Sequence, residues 1–283
     1  MKIAILYNVV ERATDGGYID PNYDSVIRRF VDSYVGHQSG CDHDLYICSS
    51  GATLSAKRMA ILSGLTYRVF TYFGDGWDIG AYQYCAKSLD SYDILVCMNS
   101  QAHVAVDGWL SAIVGAWKTY GPGVYGTSSS FEVAPHIRTS CLVVPPALLA
   151  KYPVKVRCRY DACLFEHSPS NFSLWARSQG YPVCVVLKSG VQCLADSRNQ
   201  NEIFRRDSQA GLLIHDRHTQ IYDAAPAEER EHLRALADGR ITKSFFYLGV
   251  VDRLCARHRW IGAIRLGLSR LRKRFCREMN VKN

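Results

Sequence analysis

The stretch "YRVFTYFGDGWDIGAYQYCAKSLDSYDILVCMN" (residues 67–99) decides the fold class of this 283-residue chain. A strand-like run meets a glycine-rich turn, an apolar helix-like segment follows, and a second strand-like run ends the stretch. The segments before it have the same rhythm: strand-like KIAILYNVV (2–10), helix-like YDSVIRRFVDSYV (23–35) and strand-like DLYICSS (44–50). Because strands joined through helices pair in parallel, the sequence predicts an α/β protein with a mostly parallel sheet covered on both faces.

The segments after residue 99 continue this alternation. Helix-like GWLSAIVGAWKTY (108–120) precedes the strand TSCLVVPP (139–146), whose two prolines close it where a further helix begins. FSLWARSQG predicts a helix that ends just before Gly180, a residue type favoured after helix ends. YPVCVVLKSG (181–190) then predicts one more strand.

The last quarter of the chain has a different composition. Residues 190–225 are predicted to be irregular, although an apolar GLLIHD lies among them. AEEREHLRALADG (227–239) predicts a helix, with acids in its first turn and a glycine after its end. We therefore predict two regions: an α/β domain over residues 1–225 and a helical C-terminal extension over residues 226–283.

Most of the net charge of +8 comes from segment 253–282, which holds ten lysine and arginine residues. Apolar residues recur at helical spacing among them: Ile261, Ile264, Leu268, Leu271 and Phe275. The pattern predicts a basic amphipathic helix, which could dock on the protein's own body or lie on an anionic membrane surface. Nucleic-acid binding is disfavoured because neither an aromatic platform nor a known reader motif accompanies the charge.

The spacing of the eleven cysteines indicates free thiols in a reducing compartment and does not indicate a metal site. They are scattered singly and no two form a CxxC pair, so zinc at the neighbouring Cys158 and Cys163 is disfavoured. The N-terminal apolar run is short for a signal peptide, and no stretch reaches the ~18–20 apolar residues of a membrane span. These features predict reduced thiols in a cytoplasmic protein, peripheral at the inner membrane face if the basic segment binds there.

Three glycines, Gly74, Gly76 and Gly80, stand at the strand-to-helix junction. A dinucleotide phosphate could bind there, which would make the chain an NAD(P)-dependent oxidoreductase. However, the spacing is not GxGxxG, and Asp75 and Asp78 would repel a pyrophosphate. Two interpretations of Asp78 stay open: it caps the following helix while the glycines merely turn the chain, or it accepts hydrogen bonds from a nucleobase or sugar.

The segments "DGWDIGAYQ … YDILVCMNS … GPGVYG … PHIRTSCLVVPPALLAKYP … FEHSPSNFSLWARSQGYPV" together resemble the GT-A-fold glycosyltransferases. More specifically, they resemble bacterial polysaccharide glycosyltransferases related to rhamnan-synthesis proteins, over roughly residues 1–225. The resemblance implies a GT-A-like (Rossmann-like) sheet with flanking helices. It also implies transfer of a hexosyl or deoxyhexosyl group from a nucleotide-sugar donor to a cell-surface glycan or lipid-linked acceptor, with inversion.

The family's acidic metal-binding motif falls on Met98-Asn99-Ser100 by this resemblance. Neutral oxygens such as those of Asn99 and Ser100 are poor ligands for Mg²⁺ or Mn²⁺ unless carboxylates join them. A divalent metal is therefore held elsewhere, or none is used and basic residues neutralise the donor diphosphate. The resemblance implies that Asp78, Asn99 and Ser100 contact the donor.

Glu166 matches the family's general base, an acid at the start of a helix that takes the proton of the acceptor hydroxyl. We expect partial desolvation to bring the pKa of Glu166 closer to neutrality. His167 could orient Glu166 or act as the base itself. The alternative is that Glu166 is only an acid that interacts with a helix dipole.

Two further groups of residues complete the predicted site. His136 and Arg138 are two apart before a buried strand, so their side chains should point the same way and bind the acceptor or the diphosphate. Alternatively, both are solvated at a loop edge. Beside His215, the residues Asp216, Arg217 and His218 follow an apolar run. They could bind a metal, for which the two histidines alone make an incomplete site, or close over the donor diphosphate, as the resemblance implies for a C-terminal loop. A non-catalytic glycan- or membrane-binding protein on the same fold stays open as an alternative function.

Overall fold

A computed structural model of the chain describes residues 1–12 and 22–241. The strands are β1 (Ile3–Val10), β2 (Asp44–Ser50), β3 (Arg68–Tyr72), β4 (Ile94–Met98), β5 (His103–Val104), β6 (Val124–Gly126), β7 (Ser129–Ser130), β8 (His136–Ile137), β9 (Cys141–Val144), β10 (Val183–Leu187), β11 (Gly190–Cys193) and β12 (Ile214–His215). The helices are α1 (Tyr23–Gly36), α2 (Ala56–Leu62), α3 (Trp77–Ala86), α4 (Trp109–Tyr120), α5 (Pro146–Lys151), α6 (Arg159–His167), α7 (Phe172–Ser178), α8 (Arg217–Ala224) and α9 (Ala227–Ala237).

Eight of the strands form one sheet in the order β11-β10-β6-β9-β4-β1-β2-β3. The pairs β3–β2, β2–β1, β1–β4 and β6–β10 are parallel. Strand β9 runs antiparallel between β4 and β6, and β11 is antiparallel at one edge. The predicted α/β class with a mostly parallel sheet is confirmed.

Strand β1 shows why helices cover both faces of this sheet. Its residues alternate between two hydrophobic cores: Ile5 and Tyr7 belong to one, and Ala4 and Leu6 to the other. These four positions are fully buried, so neither face of the strand lies in water there. The ring of Tyr7 stacks on Phe30 of α1 at 3.6 Å between ring centroids, and burying each such side chain contributes about 1.5–3 kcal/mol.

The two faces are covered by different helices. Helices α1 and α4 supply side chains to the core that contains Tyr7, and α3, α5, α6 and α7 supply the other core. Helix α5 begins at Pro146, directly after Pro145 closes the segment behind β9, as predicted. Gly180 follows α7 with a φ of 83°, which confirms its predicted position after the helix end.

Helix boundaries correct two sequence expectations. Helix α3 begins at Trp77 after an N-cap at Gly76, so Asp78 lies inside the first turn and is not the N-cap. Glu166 is the penultimate residue of α6 and does not begin a helix. The reason is Pro169: the residue before a proline avoids the helical conformation, so Ser168 is extended and α6 ends at His167.

The predicted irregular region 190–225 contains more regular structure than its pattern indicated. Helix α8 (Arg217–Ala224) forms near the end of this region, capped by Asp216, whose carboxylate accepts the Thr219 N–H while the Thr219 hydroxyl accepts the Asp216 N–H. Helix α9 forms as predicted, with Glu228 and Glu229 in its first turn. The division into residues 1–225 and 226–283 stays a prediction, and the basic segment 253–282 lies outside the described residues.

Within the described residues, no helix is both long and apolar enough to cross a membrane.

Candidate functional site

The candidate site lies where the sheet changes direction. The chain runs from β1 to β2 and β3 on one side, then returns through α3 to β4 on the other side of β1. In open α/β sheets, ligands bind at such a switch point, outside the carboxyl ends of the strands. The residues at this edge are the ends of β1 and β4 and the first turn of α3.

Asp78 is held at this edge by groups from β1 and from the segment that follows β4. Asn8 of β1 donates its side-chain N–H to the Asp78 carboxylate, and Ser50 donates its hydroxyl to the Asn8 oxygen at 2.6 Å. The main-chain N–H of Ser100, after β4, also donates to Asp78. Burial raises the pKa of Asp78 to about 6, and the negative charge of Glu166 adds to this, while the hydrogen bonds act against it.

The end of β4 is built by its own hydrogen bonds. Met98 is fully buried, and the Asn99 side-chain oxygen accepts the Gln101 N–H at 3.0 Å in an Asx-type turn. The Ser100 carbonyl accepts the Tyr7 hydroxyl at 3.1 Å. Residues 98–100 thus carry no carboxylate and include one side chain that faces the core.

The glycine turn is shaped around a tyrosine. The hydroxyl of Tyr72 accepts the Gly76 N–H at 3.1 Å. A Cβ added at Gly74, Gly76 or Gly80 would lie 2.3, 2.7 or 2.4 Å from that hydroxyl oxygen, and the one at Gly76 would also lie 2.3 Å from the Val156 carbonyl oxygen. These glycines make room for Tyr72 and Val156 inside the protein, which argues against a dinucleotide phosphate in the turn.

His136, Glu166 and His167 form a second cluster beside Asp78. The Thr139 N–H donates to Glu166 Oε1 at 3.0 Å, and Glu166 Oε2 lies 3.6 Å from His167 Nε2. The rings of His136 and His167 meet edge to face with centroids 4.6 Å apart. His136 Nδ1 lies 2.8 Å from the Ala134 carbonyl oxygen, which can only accept, so Nδ1 carries a hydrogen.

The expectation that partial desolvation brings the pKa of Glu166 closer to neutrality is wrong. Burial acts to raise it, but His167, His136, the Thr139 N–H and Arg138 together hold the pKa of Glu166 below its usual value. The carboxyl whose pKa approaches neutrality is Asp78 instead. Burial also lowers the pKa of His136 to about 4, so this imidazole is neutral at pH 7.

Arg138 and Asp216 form a buried ion pair next to the cluster. Arg138 Nη2 donates to Asp216 Oδ2 at 2.7 Å, and the guanidinium lies 3.6 Å from the centroid of the Phe204 ring. Burial opposes ionisation of Asp216, yet Arg138 and the helix cap lower its pKa to about 2. His136 and Arg138 are both buried, so the alternative that they are solvated at a loop edge is wrong.

The remaining predicted residues lie on α8 and just before it. Arg217 and His218 are exposed in the first turn of α8, and His218 Nδ1 lies 3.4 Å from Arg205 Nη2. His215 is half-buried, with its ring centroid 5.9 Å from that of His103. Electrostatic interactions join Asp78 to Glu166, Glu166 to Arg138, and Arg138 to Asp216, so the structure brings these predicted residues together.

The sequence reasoning missed several residues of the site. Asn8 and Ser50 carry a recognisable signal, because each is a polar residue near the end of an otherwise apolar strand. Phe204 and Arg205 carry none, since they lie in an irregular segment. Arg205 is almost fully buried and lies with its guanidinium 4.9 Å from the centroid of the same Phe204 ring that Arg138 covers.

One group of His, Cys, Asp and Glu side chains in the described part of the chain is compact enough to hold a metal ion. It consists of His136, Glu166 and His167, whose ligand atoms all lie within 4.8 Å of one another. The cluster is separate from residues 98–100, where the resemblance places the family's metal.

No protein-family model matches the chain, and neither does any curated protein. Similar solved structures include HddC from Yersinia pseudotuberculosis, with 10% identity, a TM-score of 0.38, and coverage of 56% of this chain and 83% of that one. The galactosyltransferase LgtC, in complex with donor and acceptor sugar analogues, shares 12% identity at a TM-score of 0.35, over 53% of this chain and 60% of LgtC. S. aureus TarS shares 10% identity at a TM-score of 0.42, over 62% of this chain and 33% of TarS.

Proposed function

We propose that this protein is a glycosyltransferase that moves a sugar from a nucleotide-sugar donor to a cell-surface glycan or lipid-linked acceptor, with inversion. One observation carries the proposal. Polar and charged side chains from β1, α3, α6, β8 and α8 converge at the carboxyl edge of a mostly parallel sheet, at its switch point. This is where α/β proteins bind nucleotide ligands, and it holds carboxylates suited to proton transfer.

Asp78 is the proposed donor contact. With a pKa of about 6 it is ionised at pH 7 and above, so it accepts hydrogen bonds from a hydroxyl or ring N–H of the donor. Asn8 and the Ser100 N–H hold the carboxylate in place, which lowers the entropy lost on binding. Asn99 and Ser100 complete this side of the site in the proposal.

Arg138 and His136 are the proposed groups for the diphosphate or the acceptor. The Asp216 ion pair and the Phe204 ring fix the Arg138 guanidinium, so its remaining N–H groups have a defined direction. In the proposal Arg217 and His218, both exposed on α8, and the Asp216 that caps that helix form the donor-side wall.

Glu166 is the proposed catalytic base. Its lowered pKa keeps it ionised at neutral pH, and the Thr139 N–H holds Oε1 and leaves Oε2 to accept a proton. The acceptor oxygen attacks the anomeric carbon, its proton passes to Oε2, and the bond to the nucleotide diphosphate breaks. His167, 3.6 Å from Oε2, orients the carboxylate.

A thermal-shift screen of UDP-, GDP-, dTDP- and CMP-sugars, each with and without Mn²⁺, tests donor binding. We expect one nucleotide class to raise the melting temperature, and Asp78→Ala to lose the shift. Asp90→Ala, at an exposed carboxylate on the same chain, is the matched control and should keep it. No shift with any donor in folded protein would contradict the proposal.

A non-catalytic binding protein is the second candidate. It is favoured by the end of β4, where Met98 is buried and the Asn99 oxygen is used in a turn. A carbohydrate-binding protein of this kind would give a shift with a glycan or nucleotide sugar but would never release the nucleotide. Nucleotide release that depends on Glu166 would exclude this candidate.

A further inference from the structure

We propose that His136, Glu166 and His167 bind a divalent transition-metal ion of the Zn²⁺ class. The ligands are one imidazole nitrogen of each histidine and Oε2 of Glu166. The three side chains come from β8 and from the last two residues of α6. This site goes beyond the proposed function, because neither donor binding nor sugar transfer in that function uses a metal ion at these three residues.

The distances suit a small ion after a modest adjustment. Zinc bonds to nitrogen and oxygen are about 2.1 Å long, so tetrahedral ligand atoms lie about 3.4 Å apart. Glu166 Oε2 and His167 Nε2 are already 3.6 Å apart. The farthest pair in the cluster is within 4.8 Å and must approach by up to about 1.4 Å. The His167 side chain is 22% exposed, so it is the least enclosed histidine of the cluster.

Neighbouring groups already orient two of the three ligands. His136 Nδ1 donates to the Ala134 carbonyl, so the other nitrogen, Nε2, has the free lone pair that a metal needs. The Thr139 N–H holds Glu166 Oε1 and leaves Oε2 for the ion. Hydrogen bonds of this kind, from a ligand's second atom to the main chain, fix ligand orientation at metal sites.

The ligand types indicate the metal. Two imidazoles and one carboxylate suit Zn²⁺ and its transition-metal neighbours, whereas Mg²⁺ and Ca²⁺ prefer all-oxygen sites. Three protein ligands also leave a fourth position for water or a substrate oxygen. No thiolate belongs to the cluster, which separates this site from any zinc bound by cysteines.

Metal binding and base catalysis use the same oxygen. With the Thr139 N–H on Oε1 and a cation on Oε2, the oxygen proposed to take the acceptor proton becomes a much weaker base. We therefore expect Zn²⁺ to inhibit a transfer reaction that uses Glu166 as its base. The two proposals can fail separately, because one is measured as metal binding and the other as nucleotide release.

Isothermal titration of the full chelator-treated chain with Zn²⁺ tests the site. We expect one ion per chain, with the affinity lowered at least tenfold in His136→Gln and in His167→Gln. His232→Gln, at an exposed histidine on α9, is the matched control and should bind like the unchanged chain. Since a misfolded His136→Gln protein would also lose the ion, the partly exposed His167 gives the second variant, with folding checked by circular dichroism.

Co²⁺ titration distinguishes the ligand types. Nitrogen and oxygen ligands predict visible cobalt bands without the near-ultraviolet charge-transfer band of a thiolate. Absence of Zn²⁺ binding, affinity unchanged in both histidine variants, or a strong thiolate band would overturn the metal proposal. Zn²⁺ binding with the predicted variant effects, in a protein that releases no nucleotide, would support the metal site while the proposed function fails.

Discussion

At the residue scale, the two carboxylates of the site have opposite environments. Asp78 has a pKa raised to about 6 by burial, whereas the pKa of Glu166 lies below its usual value because its histidine neighbours, the Thr139 N–H and Arg138 outweigh its burial. Carboxylates whose pKa values are pushed apart are typical of sites that bind or transfer protons. The sequence could name both residues but not their ionisation, since the surroundings come from Asn8, Thr139 and Arg138, far away in the chain.

The raised pKa of Asp78 predicts how stability changes with pH. Between about pH 4 and 6 the folded chain holds a proton on Asp78 that the unfolded chain has lost, so stability falls as pH rises. By pH 7 this group costs at most about 3 kcal/mol relative to acid pH. Urea unfolding from pH 4 to 7.5 should show a smaller decline for Asp78→Asn, while Asp90→Asn keeps the decline of the unchanged chain. Parallel curves for all three proteins would contradict the assignment.

The buried ion pair of Arg138 and Asp216 predicts that replacing Asp216 by asparagine strongly lowers stability. Asp216→Asn leaves the guanidinium buried without its carboxylate and should lower the free energy of unfolding by about 3–5 kcal/mol. Glu231→Gln removes the ion pair with Arg240, in which both side chains are about half exposed, and should lower stability far less because water screens an exposed pair. If denaturant titrations gave the two variants equal losses in the free energy of unfolding, burial would not determine how much each ion pair contributes to stability.

At the element scale, the periodic segments were predictable because each strand and helix has an apolar pattern of its own. The pattern of β9 marks a strand but not its antiparallel direction, which depends on its partners β4 and β6. Helix α8 was missed because its eight residues, RHTQIYDA, are largely polar and its capping by Asp216 and Thr219 is a short-range signal. Glu166 was assigned to the wrong end of a helix although Pro169 marks the end of α6.

The turn into α3 predicts that an alanine at Gly76 lowers stability, whereas an alanine at Gly115 in α4 does not. Gly76→Ala brings a Cβ to 2.3 Å from the Val156 carbonyl oxygen, so the main chain must move and stability should fall by a few kcal/mol. Gly115→Ala lies inside α4 with no atom within 4 Å of the new Cβ and should raise stability by about 0.5–1 kcal/mol. Thermal or urea unfolding of both variants measures the difference. A Gly76→Ala protein as stable as the unchanged chain would mean that the turn is not shaped around Tyr72 and Val156.

At the scale of the whole molecule, the site exists only because the sheet order brings distant segments together. Asn8 and Asp78 are 70 residues apart, and Arg138 and Asp216 are 78 apart. A sequence pattern shows which residue types follow each strand, so it can nominate polar and charged residues for a site at the strand ends. It does not show that His136 faces His167, because that contact depends on how β8 packs against α6.

The measurement that tests the central claim most directly is nucleotide release from UDP-, GDP-, dTDP- and CMP-sugars, with chelator and with Mn²⁺. The proposal predicts release from one nucleotide class, at least a hundredfold slower in Glu166→Gln and unchanged in Glu229→Gln, an exposed acid on α9. No release from any donor by folded protein, or equal release by Glu166→Gln, would contradict a glycosyltransferase that uses Glu166 as its base.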